Sequence, residues 1–340
     1  GASTAVGTVT QAVGANQDID TATSLLTLKY RRKADAWRFD ASASWCLAES
    51  QTTDIDHGHF NTAPSTISNL VLRGDGIPSS GGYIPTRYNA TTRTGAAVEL
   101  YDGGSYSIGS GRSAQTDYNT EQTTGRLDLT RDFTGALPLT LKVGIAADRM
   151  EKDLRTFSKT WNFRPNGAAT ATAQLASNFD VFDEAFNAEA PGIYGRRMRW
   201  ISVRKLYDVF LRQPGWFVLD EAAAHQNLVT NSRRLLETVS AAYLRADCRL
   251  LNNRLWLVAG VRFEKTEDEG WGARNDPSAQ YQKNANGNLV LSGGQPVLLT
   301  TDTLARARLR YVERGTHTTR DYQGFYPGLN ATYNLSDNLV

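Results

Sequence analysis

The feature that most constrains this chain is a two-residue alternation of apolar and polar side chains, repeated in segments far apart in the sequence. Successive side chains of a strand point to opposite faces, so each such segment reads as a strand with one apolar and one wet face. In residues 36–50, Trp37, Phe39, Ala41, Ala43, Trp45 and Leu47 alternate with Arg38, Asp40, Ser42, Ser44 and Cys46. Residues 139–149 repeat the pattern with Leu139, Leu141, Val143, Ile145 and Ala147. Residues 254–266 do so with Leu255, Leu257, Ala259, Val261 and Phe263. Less regular alternation covers Leu26, Leu28 and Tyr30; Leu127 and Leu129; Ala242, Leu244, Ala246 and Leu250; and Phe325, Leu329, Ala331, Tyr333 and Leu335, which makes seven expected strands.

The connections alternate between very short and very long. Arg32-Lys33-Ala34-Asp35, Thr134-Gly135-Ala136-Leu137-Pro138, Asn252-Asn253 and Ser336-Asp337-Asn338 carry tight-turn chemistry. Residues 51–122, 155–233 and 271–320 read as long loops, which a compact soluble domain rarely contains. A soluble sandwich also alternates faces, but its turn signals recur about every 8 to 12 residues. The expected fold class is therefore all-β: part of an antiparallel transmembrane β-barrel, a meander of long hairpins with short periplasmic turns and long extracellular loops. Trp37, Phe39 and Trp45 sit where interfacial aromatic girdles would fall.

Composition is compatible with this. A mean hydropathy of -0.42 and the lack of any run of about 20 apolar residues exclude a transmembrane helix. They do not count against a barrel, whose membrane band is hidden in alternate residues. Lys plus Arg at 37 against Asp plus Glu at 35 is too balanced for a nucleic-acid footprint. Cys46 and Cys248 form no metal or redox spacing.

Within the loops, Gly103-Gly104 and Gly109-Ser110-Gly111 read as turn and edge-hairpin chemistry. Val203, Leu206, Tyr207, Phe210 and Leu211 recur at helical spacing up to Pro214-Gly215, so a short amphipathic helix is expected there. Its basic residues Arg199, Arg204, Lys205 and Arg212 suit lipopolysaccharide phosphates, although a solvated helix face explains them more simply. Asp54-Ile55-Asp56-His57-Gly58-His59 has metal-ligand residue types without a zinc or calcium spacing. His225 and His317 stand alone, no catalytic constellation assembles, and neither a metal nor a cofactor is expected. Arg245, Asp247, Arg262 and Glu264 would face the lumen as a solvated charge network.

Two stretches resemble the barrel of TonB-dependent outer-membrane receptors. One runs from Ala242-Tyr243-Leu244-Arg245-Ala246-Asp247 through Leu251-Asn252-Asn253-Arg254 to Gly260-Val261-Arg262-Phe263-Glu264; the other is Phe325-Tyr326-Pro327-Gly328-Leu329-Asn330 and the polar turn after it. The resemblance covers about 100 residues and implies a 22-stranded barrel filled by an N-terminal plug. It also implies ligand capture by extracellular loops and release driven through the TonB complex. Residues 1–340 would then be part of one barrel domain in the bacterial outer membrane, with the plug, the TonB-binding segment and the terminal strands absent.

The expected function is uptake of a scarce nutrient of the siderophore-iron, cobalamin or glycan class, without catalysis. A passive porin-like channel is the runner-up, and an outer-membrane hydrolase ranks last. Expected partners are outer-membrane lipid, lipopolysaccharide, a small-molecule or oligosaccharide ligand, and TonB through the missing N-terminal region. Asp54, Asp56, His57, His59 and Trp271 are the candidate ligand-binding residues.

Overall fold

The computed structural model describes residues 6–14, 16–76, 85, 87–135, 137–190, 192 and 196–335. The expected turn Ser336-Asp337-Asn338, with Leu339, Val340 and Ala136, lies outside them. Seven long strands dominate: β1 (Asp18–Ala34), β2 (Trp37–Thr53), β3 (Ser110–Phe133), β4 (Leu139–Phe163), β5 (Arg233–Leu250), β6 (Leu255–Asn275) and β7 (Tyr311–Tyr333). Each pairs antiparallel with the next in chain order, giving one meander with β1 and β7 at its margins. The short strand Phe217–Leu219 adds to the end of β4. Among the described residues β1 and β7 do not pair with each other, so the sheet is open.

The short connections carry the expected turn chemistry. Asp35 has φ 46°, and Leu251, Asn252 and Asn253 have φ 55°, 54° and 70°. Asparagine tolerates this left-handed region better than other residues with a Cβ.

The strands run further than the alternation indicates. β3 begins at Ser110, β4 continues to Phe163, β6 reaches Asn275 and β7 starts at Tyr311. The expected loops 51–122, 155–233 and 271–320 accordingly contract to 54–109, 164–232 and 276–310. In β3 the cause is visible in residues such as Thr116, Asp117, Asn119, Thr120 and Glu121, where both faces are polar and no amphipathic period marks the extension, whereas in β4 Phe157, Trp161 and Phe163 do alternate with Thr156, Ser158, Thr160 and Asn162, a period broken by Lys159. Cross-strand ion pairs such as Arg234–Glu151 at 2.7 Å and Arg314–Asp153 at 2.6 Å tie the extensions together.

The pairing register brings every apolar row onto one face. Trp37 is paired with Arg131, Phe39 with Leu129 and Ala41 with Leu127. Leu129 then meets Val143, which meets Leu244, which meets Val261, which meets Pro327. The apolar stretch is about nine residues long in β4 and β6, close to the ~9 to 11 that a tilted strand needs to cross hydrocarbon. The band crosses the hydrogen-bonded rows obliquely. The row Ala43, Gly125, Ala147, Ser240, Lys265, Gln323 starts inside the band at β2 and leaves it by β6. Tilted, staggered strands produce this offset.

This apolar face is uncovered. Leu28 is 72% exposed, Ile145 55% and Leu329 73%, whereas the largest fully buried side chains, including Tyr106, Phe60, Phe163 and Leu206, belong to the loops or to strand ends beside them. Phe60 contacts Trp161, Tyr207, Phe210 and Phe217 at centroid distances of 5.3 to 6.0 Å, and its ring lies where a Cβ on Gly111 would be. The expected amphipathic helix is present as α2 (Val203–Arg212), after the short α1 (Glu184–Glu189). Ser202 caps α2, and Val203, Leu206 and Val209 are buried. The strands Gly7–Val13, Ala63–Asp75, Arg87–Thr92, Ala97–Val98 and Ser107–Ile108 form a separate sheet in this layer. Gly103–Ser105 forms a single turn there. Two more helices, α3 (Glu221–Asn231) and α4 (Thr303–Arg310), share a small core of Val229, Ala307 and Tyr311.

The opposite face of the sheet is polar and cross-linked. Asp128 accepts a hydrogen bond from the Tyr243 hydroxyl and lies 3.0 Å from both the Arg126 and Lys142 nitrogens. Gly144 faces this network: a Cβ there would sit 2.4 Å from Asp128 Oδ1 and 2.5 Å from Tyr243 Cε1. Gly144→Ala should therefore cost ~1 to 3 kcal/mol by overpacking, with Gly125→Ala, whose Cβ would meet nothing within 4 Å, as the near-neutral control. Denaturant titration of both variants checks this, and equal stability would contradict the packing assigned to Gly144.

Candidate functional site

The histidine-rich segment follows β2, where a single 3-10 turn spans Ile55–His57. Asp54 is fully buried. One of its carboxylate oxygens accepts from the Ser113 hydroxyl at 2.7 Å and the Ile55 N–H at 2.5 Å, and the other accepts from the Ala114 N–H at 2.7 Å. Asp56 accepts from the Gln115 amide. His57 Nδ1 and His59 Nε2 approach the same Asp18 oxygen, at 2.9 and 3.0 Å. His59 is buried, and its Nδ1 faces the Phe60 carbonyl at 3.1 Å, so both its ring nitrogens are engaged within the chain. The segment thus fastens the start of the first long loop to β1 and β3. Among the described residues, no group of three or more metal-ligating side chains converges.

Trp271 is not part of this cluster. It lies near the loop end of β6, stacked on His317 with ring centroids 4.7 Å apart and planes 13° from parallel. The Arg234 guanidinium sits 4.8 Å from its centroid. Trp271 is flanked by Gly270 and Gly272, and these three with Arg234 border a cleft of about 530 Å³ on the upper part of the sheet, the side chains of Trp271 and its register partner Arg234 lying on the opposite face from the cleft wall. Tyr118, Lys152, Leu154, Arg233 and Leu235 form one wall, with Thr316 and Thr318 opposite. Register puts the wall residues on the polar face, since Tyr118 pairs with Leu154, Leu154 with Arg233, and Lys152 with Leu235. Sequence reasoning missed all of these except Trp271: Tyr118, Arg233, Thr316 and Thr318 fall in segments read as loop, and Lys152, Leu154, Leu235 and Gly270 lie just beyond the strands that the alternation marked. The alternation of Lys152, Leu154 and of Arg233, Leu235 with charged neighbours gives no apolar period to find.

Of the basic residues near α2, Lys205 pairs with Asp180 at 2.9 Å and Arg199 pairs with Glu184. Lys205 holds the Asp180 carboxyl below its usual range. In the loop core, burial pushes the Tyr106 hydroxyl up to about 12, and it donates to the Leu100 carbonyl at 2.8 Å.

The fold therefore defines a class: an antiparallel all-β sheet with one bare apolar face, one polar face, and structured loops collected at one end. The chain matches no known family model, and comparison with curated proteins returns no relative.

Replacing Asp54 by Ala strands its buried donors, a penalty of ~1 to 3 kcal/mol. Proteolysis should then cut within 54–109 faster while the long strands stay protected. Unchanged cleavage would mean that Asp54 does not fasten the loop.

Proposed function

We propose that this chain is part of a bacterial outer-membrane β-barrel that takes up a scarce nutrient by TonB-dependent transport, its ligand captured by the long loops and the upper polar wall. The single observation that carries the membrane reading is the bare apolar band, aligned by register across seven consecutive antiparallel strands. A soluble sheet would cover such a face with a second layer, whereas a barrel leaves it to lipid. From β2 to β6 the backbone groups within the band pair with a neighbouring strand on both sides, as a hydrocarbon surrounding requires. A hollow of about 630 Å³ on this face, between Ala43, Gly125, Ala147 and Ala242, offers almost no polar group and suits acyl chains.

Aromatic side chains gather at the borders of the band. Tyr30, Trp37, Phe39 and Phe133 lie toward the short turns, with Arg131 4.8 Å from the Trp37 centroid and 4.7 Å from that of Phe133. Toward the loops, the Trp45 indole donates to Glu121 at 2.9 Å. These are interfacial contacts, apolar on one side and wet on the other. The TonB-dependent part of the reading is supported by the sequence resemblance in β5, β6 and β7 and by the mass of folded loop at one end.

Spin labels at Val143 and Val261 in the full-length protein, reconstituted in vesicles, should be relaxed by oxygen and shielded from a water-soluble nickel chelate. A label at Thr130 should behave in the opposite way. Val143→Arg should cost ~2 to 4 kcal/mol. Water-exposed labels at positions 143 and 261 would refute the facing. The runner-up, a passive channel, is separated by planar-bilayer recording: a plugged receptor passes no steady ion current, and a large steady conductance would favour the channel.

A further inference from the structure

We propose that the upper cleft beside Trp271 binds a small organic anion with a flat apolar body, of the aromatic carboxylate type. This deepens the uptake reading and rests on it in taking the polar face as the lumen. The observation is an imbalance of charge. On this face Arg126 and Lys142 sit on Asp128, Arg245 on Asp247 and Arg262 on Glu264, whereas nearer the short turns Lys29, Lys33, Arg38 and Arg249 have no ion pair among the described residues. On the other face at the level of the cleft, Arg234 and Arg149 share Glu151, and Arg314 holds Asp153.

The cleft itself is lined by two further cations, Lys152 and Arg233. Neither has an ion pair or a side-chain hydrogen bond among the described residues. Arg233 pairs with Leu154 and Leu235 with Lys152, so the two cations are diagonal neighbours on one face. Their Cβ atoms are about 7 Å apart by strand geometry, near enough for like charges to repel. Glu237 is the diagonal neighbour of Lys152 on the side toward the band, but the two form no ion pair; Glu237 is paired in register with Asp268, and Asp268 with Arg320. A bound carboxylate between Lys152 and Arg233 removes the repulsion and accepts charge-assisted hydrogen bonds from both.

The surroundings set the rest of the ligand. The aromatic ring of Tyr118 and the side chains of Leu154 and Leu235 provide an apolar wall, and Thr318 supplies a hydroxyl opposite. The volume, about 530 Å³, falls in the range of small-molecule sites. Gly270 keeps the cleft open: a Cβ there would meet nothing within 4 Å, so a side chain at this position projects into unoccupied space.

The test measures binding of 1-naphthoate and of its neutral counterpart 1-naphthamide to the full-length protein in vesicles. Naphthoate should bind at least tenfold more tightly than naphthamide. Lys152→Gln with Arg233→Gln should abolish that preference, and Lys152→Arg should keep it. Gly270→Leu, whose Cβ would meet nothing within 4 Å, should block both compounds in a protein that still folds. Equal binding of the two compounds, or a naphthoate preference surviving in the Gln double variant, would overturn the proposal. The spin labels at 143 and 261 are read on the same samples. Lipid-facing labels with no naphthoate preference refute the anion site alone, whereas water-facing labels refute the membrane reading on which it rests.

Discussion

A slip of one residue in any of the six pairings between β1 and β7 would turn a row of apolar side chains onto the polar face. Nothing in a single strand prevents this, because each could alternate in either sense. What holds the register is mutual: Leu129, Val143, Leu244 and Val261 lie in one continuous row only when four strands agree. The reverse face depends on the same agreement, since Asp128, Gly144 and Tyr243 are brought into one row by it. The packing of Tyr243 against Asp128 over Gly144 penalises a slip from the polar side, as loss of apolar contact does from the other. The short turns, built on left-handed Asp35 and on Leu251-Asn252-Asn253, pin the two hairpins they close.

The structure distributes its buried and exposed apolar groups in an unusual way. The loops carry the aromatic core, with Phe60 and Phe163 sealed inside it, while the sheet leaves leucines and valines uncovered. In water this arrangement would be unfavourable, because a broad bare apolar face invites association. In a bilayer it is what the solvent asks for: apolar side chains toward acyl chains, backbone groups paired within the sheet, and polar residues on the far face. The charged strand extensions then belong to the aqueous side, where ion pairs such as Arg155–Glu313 at 2.8 Å hold them without any apolar packing.

Much of this was legible in the sequence, and the limits have a physical cause. The seven long strands of the meander were found because one face of each is apolar and the other polar, which writes a period of two into residues such as Trp37 to Leu47. The amphipathic helix α2 was legible for the corresponding reason at its own period. The extension Ser110–Gln122 was not, because polar residues on both faces leave no period to read, and in Thr156–Phe163 the short alternation of Phe157, Trp161 and Phe163, broken by Lys159, was overlooked. The candidate residues divided in the same manner. Asp54 and His59 looked like ligand-seeking polar groups, yet their partners, Ser113, Ala114 and Asp18, are distant in sequence and become visible only through folding. Lys152 and Arg233 meet across β4 and β5, a proximity that only register can reveal.

The facing of the sheet is the claim on which the functional account turns, and fluorescence quenching by brominated lipids tests it most directly. Variants of the full-length protein retaining one tryptophan each, Trp37, Trp45 or Trp256, are placed in vesicles whose acyl chains carry bromine at defined depths. Trp37 and Trp45 lie on the apolar face, and Trp256, paired with Arg249, lies on the polar one. The account predicts strong quenching of Trp37 and Trp45 by bromines near the headgroups and little quenching of Trp256 at any depth. Quenching of Trp256 as strong as that of the other two, or none of the three quenched, would contradict it.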